Sequence, residues 1–127
     1  MNQSTFFTEG KLGPLTLRNR SIRAAAFEGM SDHHNVTEAL VNYHTAVAKG
    51  GVGMSTVAYA AVSKSGLSFP HQLWMRKEIV GDLKKLTDSV HREGAAVSVQ
   101  IGHCGNMANG AVTGVRPIAP SGGINWY

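Results

Sequence analysis

The sequence lacks a second cysteine to pair with Cys104, so no disulfide can join two parts of the chain. No apolar run approaches the roughly 18 residues of a membrane-spanning helix. The first residues, MNQSTFFTEGKL, also lack the basic start and long apolar segment of a secretory signal peptide. A lone cysteine without such segments predicts a reduced, cytoplasmic protein with no membrane contact.

Charge of one sign is not concentrated anywhere along the chain. Charged residues make up 16% of the 127 positions and the formal net charge is +4, but Lys and Arg are scattered. No basic stripe alternates with aromatic residues, so we expect no nucleic-acid partner. The 43% of hydrophobic residues and the 15 glycines suit one globular unit, and no linker divides residues 1–127.

Three apolar runs predict strands. They are SIRAAAF at Ser21–Phe27, VGMSTVAYAAV at Val52–Val62 and AAVSVQI at 95–101. The middle run consists of small and β-branched residues without interruption, which is typical of a strand buried on both faces. Before these runs, KLGPLTLRNR predicts a short hairpin arm that turns at Gly13 and Pro14.

Two amphipathic helices separate the three predicted strands. TEALVNYHTAVAKGG has apolar residues at helical spacing; Thr37 can cap this helix, Glu38 suits its positive end and Gly50 ends it. The second helix is stopped by Gly94, and its apolar face consists of Ile79, Leu83, Leu86 and Val90. Right-handed crossovers make the strands parallel, so their carboxyl ends open on one face, where α/β proteins bind ligands.

The carboxyl ends of the predicted strands lie near Phe27, Tyr59 and Gln100, with the strand of Tyr59 in the middle. Gln100 is an uncharged amide at the end of a strand expected to be buried, so its donors and its acceptor need partners. A polar planar ligand or neighbouring backbone groups would satisfy them. The segment SVQIGHCGNMAN that contains Gln100 is therefore predicted to lie on the functional rim.

The histidines and the cysteine do not form a pattern typical of a metal or nucleophile site. His44 lies on the apolar stripe of its helix and is expected to be packed, whereas His33, His34, His71 and His91 are expected to be solvated. Adjacent side chains such as those of His103 and Cys104 usually point apart, so we predict structural or pocket-lining roles for both. GGVGM, at 50–54, follows a helix and lacks the third glycine of a nucleotide-binding fingerprint.

The alternation of strands and helices predicts an α/β fold that consists of the amino-terminal three βα-type strands of a (β/α)8 TIM barrel, preceded by a short hairpin arm. A whole barrel takes about 250 residues, so the remainder would be absent. The alternative is a small self-contained three-stranded α/β domain, but such a sheet would have exposed edges on both sides, and VGMSTVAYAAV carries none of the Lys or Pro that protects a sheet edge. The chain stops at PSGGINWY, with Trp126 and Tyr127 last, and we expect it to be cut.

The segments LTLRNRSIRAAAF, GGVGMSTVAYAAVSKSG, REGAAVSVQIGHCGN and RPIAPS resemble, in order and spacing, the amino-terminal part of the Old Yellow Enzyme family of FMN-dependent oxidoreductases. The branch with NADH:flavin oxidoreductases and 2,4-dienoyl-CoA reductases is the most similar. The resemblance runs from about Leu12 onward. LRNR and QIGHCG, similar to the family's Q-L-x-H-x-G-R, are its most specific parts.

The resemblance implies a barrel with FMN across the carboxyl ends of its strands. It places Ala25, Ala26 and Phe27 under the flavin, Tyr59 at the end of the second strand, and Gln100 on the flavin pyrimidine edge. The chain departs from the family pattern in four places: Ala25 stands for proline, Phe27 for Thr or Cys, Tyr59 for Gly or Ala, and Asn106 for arginine. The family's catalytic residues come from later strands, so none is assigned in this chain.

We therefore interpret residues 1–127 as a partial TIM-barrel FMN-binding domain of an oxidoreductase. The predicted reaction is hydride transfer from NAD(P)H through FMN to a small-molecule acceptor, either an activated alkene or another acceptor. The alternative is a truncated, non-catalytic α/β module that acts through self-association or partner binding. We expect the chain to associate with the missing barrel portion or with itself, and to be inactive alone.

Overall fold

A computed structural model of the chain describes residues 4–123. Trp126 and Tyr127, on which the prediction of a cut chain rested, lie outside the described residues. The predicted hairpin arm is confirmed: β1 (Gly10–Leu12) and β2 (Leu15–Leu17) pair in antiparallel fashion. Gly13 has a φ of +56° at the turn between them. Glycine adopts this left-handed conformation without steric cost.

The remaining strands form one parallel sheet of four strands: β3 (Ile22–Arg23), β4 (Met54–Ala61), β5 (Leu73–Trp74) and β6 (Ala96–Gly102). β6 pairs along most of one side of β4, while β3 and β5 pair with the amino and carboxyl ends of β4. The predicted position of the Tyr59 strand between the other two is confirmed. The predicted count of three strands is incomplete, because the two-residue strand β5 was not anticipated.

The first predicted strand, Ser21–Phe27, is much shorter than expected, because only Ile22–Arg23 pairs with β4. Beyond Arg23 a side chain takes over part of the ladder: the Glu28 carboxylate accepts the Ala58 N–H at 3.0 Å. The Glu28 N–H donates to the Ala58 carbonyl oxygen at 3.4 Å. The chain at Phe27 and Glu28 thus stays beside β4 without being a regular strand.

Both long helices were predicted correctly, as α1 (Glu38–Lys49) and α2 (Val80–Arg92). The Thr37 hydroxyl accepts the Leu40 N–H at 3.2 Å and so caps α1. α1 packs on β4, α2 packs on β6 and the helices contact each other, so both cover the same face of the sheet. The short elements are α3 (Gly110–Thr113) and the 3-10 turns Thr5–Phe7, Lys64–Gly66, Lys77–Ile79 and Gly105–Met107.

The core lies between the helices and β4, with Leu40, Val57, Leu86 and Val90 almost wholly buried. β6 is different, because its carboxyl half is exposed and Ile101 keeps 56% of its surface accessible. Within residues 4–123, β4 is the only strand that pairs with β6. The expectation that the third strand is buried is therefore wrong for the described chain, since nothing in it covers the outer edge of β6.

Arg18, in the LRNR segment, ties the hairpin arm to the amino-terminal end of the sheet. Its Nε donates to the Val52 carbonyl oxygen at 3.0 Å and its Nη1 to that of Glu93 at 2.7 Å. Its Nη2 also contacts the Ala48 carbonyl oxygen. Because these carbonyl groups lie at the ends of α1 and α2 and before β4, one guanidinium holds three segments together.

The glycines of GGVGM have a packing role. A Cβ on Gly53 would lie 2.5 Å from the backbone oxygen of Asn19, and the Asn19 side chain donates to the Gly51 oxygen at 2.7 Å. These contacts agree with the rejection of a nucleotide-binding fingerprint. None of the helices described in residues 4–123 combines the length and the apolar character needed to cross a bilayer.

Candidate functional site

The fold brings three of the predicted site residues to the same edge of the sheet. The rings of Phe27 and Tyr59 lie 5.5 Å apart between centroids, and Tyr59 and Gln100 line one cavity of about 280 Å³. Ala25 and Ala26 precede Phe27 in the same irregular segment, where Ala25 is half-buried and Ala26 is exposed. The five predicted positions therefore lie where β3, β4 and β6 end.

Phe69 belongs to this edge and was missed by the sequence analysis. Its ring stacks on Phe27 with centroids 4.8 Å apart and planes 27° from parallel. Phe27 is 39% exposed and Phe69 is 46% exposed, so the pair presents apolar surface beside Tyr59. Phe69 lies in the loop between β4 and β5, which has no periodic pattern that would have predicted its position.

The Tyr59 hydroxyl is turned toward the loop after β4, where it lies 2.7 Å from the Ser68 hydroxyl. Burial raises the pKa of Tyr59 and the neighbouring Cys104 thiol adds to this, while the Ser68 hydrogen bond acts in the opposite direction. A second cavity of about 540 Å³ opens on this side of the Tyr59 ring, with Phe69 and Met107 in its wall.

Gln100 is exposed on β6, contrary to the expectation of a buried amide. No hydrogen bond joins its side chain to the rest of residues 4–123. An amide with a free donor and a free acceptor at a cavity wall fits a planar polar ligand with alternating acceptors and N–H groups. The donor set at this edge therefore fits the ring portion of a flavin, although no contact to a phosphate group can be assigned among the described residues.

His103 and Cys104 line the cavity, as predicted, and do not act on each other as base and nucleophile. The Nδ1 of His103 accepts the Gly105 N–H at 2.9 Å, so its Nε2 carries the proton and faces the Ser65 hydroxyl at 3.1 Å. A Cβ on Gly66 would lie 2.7 Å from the His103 ring. Among residues 4–123 no three His, Cys, Asp or Glu side chains are placed to hold a metal ion.

A buried carboxylate below the rim was also missed. The Glu28 side chain is 3% exposed and lies 3.1 Å from Arg23 Nη1. The Nε2 of His44 lies 3.2 Å from Glu28 without the alignment of a hydrogen bond, and its Nδ1 lies 2.8 Å from the Ser55 hydroxyl. The packed state predicted for His44 is confirmed, because the ring is fully buried. Glu28 directly follows Phe27, so this network supports the rim from below.

The other histidines differ in their contacts. His33 and His91 are exposed, as predicted. His34 is half-buried and its Nδ1 lies 2.9 Å from the Gln72 carbonyl oxygen, so the expectation of a solvated side chain is wrong there. His71 is exposed, but its Nδ1 lies 2.9 Å from the Ser31 carbonyl oxygen. Both contacts join loops to each other and place no imidazole at the rim.

Comparison with known proteins agrees with this arrangement. The profile of the NADH:flavin oxidoreductase / NADH oxidase family matches residues 5–121. The chain belongs to this family. It is 45% identical over 117 residues to the 4,4'-dithiodibutanoate disulfide reductase of Rhodococcus erythropolis, covering 92% of this chain and 29% of the relative. It is 30% identical over 119 residues to the NADH oxidase of Thermoanaerobacter brockii, covering 91% and 18%.

Solved structures of this family share the fold. An Old Yellow Enzyme homologue from Zymomonas mobilis superposes with a TM-score of 0.85 at 26% identity, covering 93% of this chain and 33% of the other. Morphinone reductase superposes with a TM-score of 0.84 at 21% identity, covering 94% and 33%. These structures are TIM barrels, and the parallel α/β arrangement of this chain corresponds to about one third of them.

Proposed function

We propose that this chain forms the amino-terminal part of a cytoplasmic FMN-dependent oxidoreductase that acts on a small-molecule acceptor with NAD(P)H as the electron donor. The observation that carries the proposal is the free amide of Gln100 in one cavity with Tyr59, beside the exposed ring of Phe27. Membership of the family supports the choice of cofactor. The chain spans less than a third of the curated relatives it matches, so the activity concerns the longer protein.

In this proposal the chain holds the ring portion of the cofactor. Gln100 provides one donor and one acceptor to the pyrimidine edge, and the small side chains of Ala25 and Ala26 leave room for a flat ring. Phe27 provides apolar surface that excludes water from one side. Bound FMN supplies the hydride transfer between NAD(P)H and the acceptor, which is chemistry that side chains do not perform.

The acceptor that we propose first is an activated alkene, and an organic disulfide is the second candidate. The second is favoured by the 45% identity to a relative named for the reduction of a disulfide. The alternative to an enzymatic function is a non-catalytic role in which the chain acts through self-association. The exposed edge of β6, with Val99 and Ile101 accessible, supports that alternative.

Replacement of Gln100 tests the cofactor assignment in the longer protein that carries this chain. Gln100→Leu keeps the bulk but places hydrocarbon against polar atoms, so we expect a loss of about 1 to 3 kcal/mol, or roughly 5- to 150-fold in FMN affinity. Negative charge develops at that edge on reduction, so loss of the donor lowers the midpoint potential as well. The measurements are FMN dissociation and redox titration.

His91→Ala is the matched control, because His91 is exposed on α2, away from the rim. If Gln100→Leu and His91→Ala both behave like the parent, Gln100 is an ordinary strand residue and the cofactor assignment is wrong. We also expect the 127-residue chain alone to lose FMN during gel filtration and to leave NADH unoxidised, since it contacts only the ring. A yellow monomer with stoichiometric flavin would contradict this expectation.

A further inference from the structure

The cavity of about 540 Å³ beside Tyr59 is not used by the ring contacts proposed above. It lies between the loop after β4, with Ser68 and Phe69, and the segment after β6, with Cys104 and Met107. Tyr59 and Cys104 also line the cavity that contains Gln100, so the two spaces adjoin. A molecule in the larger cavity would therefore lie next to the proposed flavin edge.

A hydrogen-bond chain fixes which way the Tyr59 hydroxyl points its proton. The Oε1 of Gln72 accepts the Ser68 N–H at 2.9 Å, so this atom is an acceptor and cannot donate. The Ser68 hydroxyl also donates to the same Oε1, at 3.3 Å. The Ser68 oxygen is then the acceptor for the Tyr59 O–H at 2.7 Å.

The direction of this chain commits the Tyr59 proton to Ser68, so the Tyr59 oxygen offers lone pairs to a molecule in the cavity and shares this wall with the neighbouring Cys104 thiol. Gln72 is 1% exposed, so the chain ends on an amide that cannot turn to solvent. The Tyr59 hydroxyl keeps its proton at neutral pH because the ordinary pKa of a tyrosine is 10.0, and burial raises this pKa further. An incoming N–H or O–H group meets an acceptor, whereas an incoming acceptor meets unfavourable lone pairs.

The rest of the cavity wall is uncharged. Phe69 is 46% exposed and Met107 is 60% exposed, so both present apolar surface. No Lys, Arg, Asp or Glu of the described chain lines the cavity. Such a wall disfavours a charged ligand, because burial of an uncompensated charge is costly, and it favours a flat apolar group that packs on Phe69.

We propose that this cavity binds an uncharged, planar apolar group of the electron acceptor, and that the Tyr59 oxygen selects acceptors that present an N–H or O–H donor. Tyr59 is then a specificity-determining residue. The identification of the ligand as the electron acceptor rests on the proposed function. The cavity and its preference for a donor depend only on residues of this chain.

Indole and benzofuran test the preference, because the two molecules have nearly the same shape but only indole carries an N–H donor. Each is titrated into the isotope-labelled 127-residue chain, and binding is followed by NMR at the backbone amides of Phe69 and Met107. We expect indole to bind roughly two- to tenfold more tightly than benzofuran, the value of one net hydrogen bond. Equal affinities, or no binding of either probe at these amides, would overturn the proposal.

Two variants separate a specific role of Tyr59 from a structural one. Tyr59→Phe keeps the ring but removes the oxygen, so the preference for indole should disappear while benzofuran still binds. Ser68→Ala removes the acceptor of the Tyr59 O–H, which can then donate to a ligand in the cavity. The affinity for benzofuran should therefore rise relative to that for indole, although the Tyr59 ring and the cavity remain. His91→Ala should change neither affinity. Persistence of the preference in both Tyr59→Phe and Ser68→Ala refutes the assignment.

The probe experiment and the Gln100 experiment can fail separately. One possible result is that the preference for indole depends on Tyr59 while the FMN affinity is unchanged in Gln100→Leu. This result would support the proposed cavity and refute the proposed function. If instead Gln100→Leu lowers the FMN affinity and the preference for indole does not depend on Tyr59, the cofactor site is supported and the specificity role of Tyr59 is refuted.

Discussion

Removal of the Glu28 carboxylate should destabilise the fold and disturb the rim above it. The side chain is 3% exposed, accepts the Ala58 N–H through both oxygens at 3.0 and 3.3 Å, and lies 3.1 Å from Arg23 Nη1. In Glu28→Ala the Ala58 N–H has no acceptor, and Arg23 loses its counter-charge. Arg23 still donates to the Thr56 carbonyl oxygen at 2.7 Å and lies 5.0 Å from the centroid of the Tyr43 ring.

The remaining contacts of Arg23 decide the size of the effect. Breaking a buried ion pair by removal of one partner costs about 3 to 5 kcal/mol, and we expect the lower end because Arg23 keeps two other partners. The cost of the orphaned Ala58 N–H, about 1 to 3 kcal/mol, is contained in that figure and is not added to it. Glu28→Gln keeps an oxygen for Ala58, so we expect about half the loss.

Urea denaturation of the parent and of both variants measures these differences in the free energy of unfolding. Asp88→Ala is the control, because Asp88 also pairs with a cation, Lys84 at 2.6 Å, but on the exposed face of α2. The reasoning is refuted if Glu28→Ala is no more destabilising than Asp88→Ala. It is also refuted if the NMR signals of the Phe27 and Tyr59 rings are unchanged in Glu28→Ala. The carboxylate joins the residue after Phe27 to the residue before Tyr59, so its removal should shift the signals of both rings.

Three further changes test other parts of the structure. Arg18→Lys keeps the charge but cannot hold the carbonyl groups at the ends of both helices together, so we expect a loss of about 1 to 3 kcal/mol in urea denaturation, and full stability would contradict it. Gly66→Ala places a Cβ 2.7 Å from the His103 ring, so the His103 NMR signals should shift with a loss of about 1 to 3 kcal/mol, and unchanged signals would refute the contact. The pKa of Tyr59 in the folded protein is raised above its ordinary value of 10.0. The protonated hydroxyl therefore contributes fully to the free energy of unfolding below pH 10.0, and this contribution is lost as the pH rises through the pKa of the folded state. Tyr59→Phe should remove this part of the alkaline destabilisation, and an unchanged pH profile would contradict it.

The sequence predicted the elements whose pattern is local. The apolar spacing along α1 and α2, the Thr37 cap and the unbroken apolar run of β4 each depend on neighbours within one or two turns. The meeting of Phe27, Tyr59 and Gln100 at one edge followed from right-handed crossovers between parallel strands. These are the parts of the fold and of the site that need no knowledge of long-range contacts.

The parts that were missed depend on partners far apart in the sequence. β5 has two residues and no period, and it pairs with the carboxyl end of β4, beyond the point where β3 ends. Glu28 gives no signal of burial in AAAFEGM, since its partners Arg23 and Ala58 meet it only in the folded chain. The Tyr59 hydroxyl could point to a ligand or to a neighbour, and only the position of Ser68 decides between them.

Two of the positions at which the resemblance implies a departure from the family pattern pack against each other. At Phe27 and Tyr59 the resemblance led us to expect smaller residues, and the centroids of the two rings lie 5.5 Å apart. Phe69 stacks on Phe27 at 4.8 Å and extends the same aromatic wall. A small residue at either position would remove the support of the other rings and open a void, which costs stability in proportion to its volume. Tyr59 fits beside the proposed flavin edge because Phe27 supports its ring and Ser68 holds its hydroxyl. The selectivity that we propose for this edge therefore depends on Phe27, Tyr59 and Phe69 together.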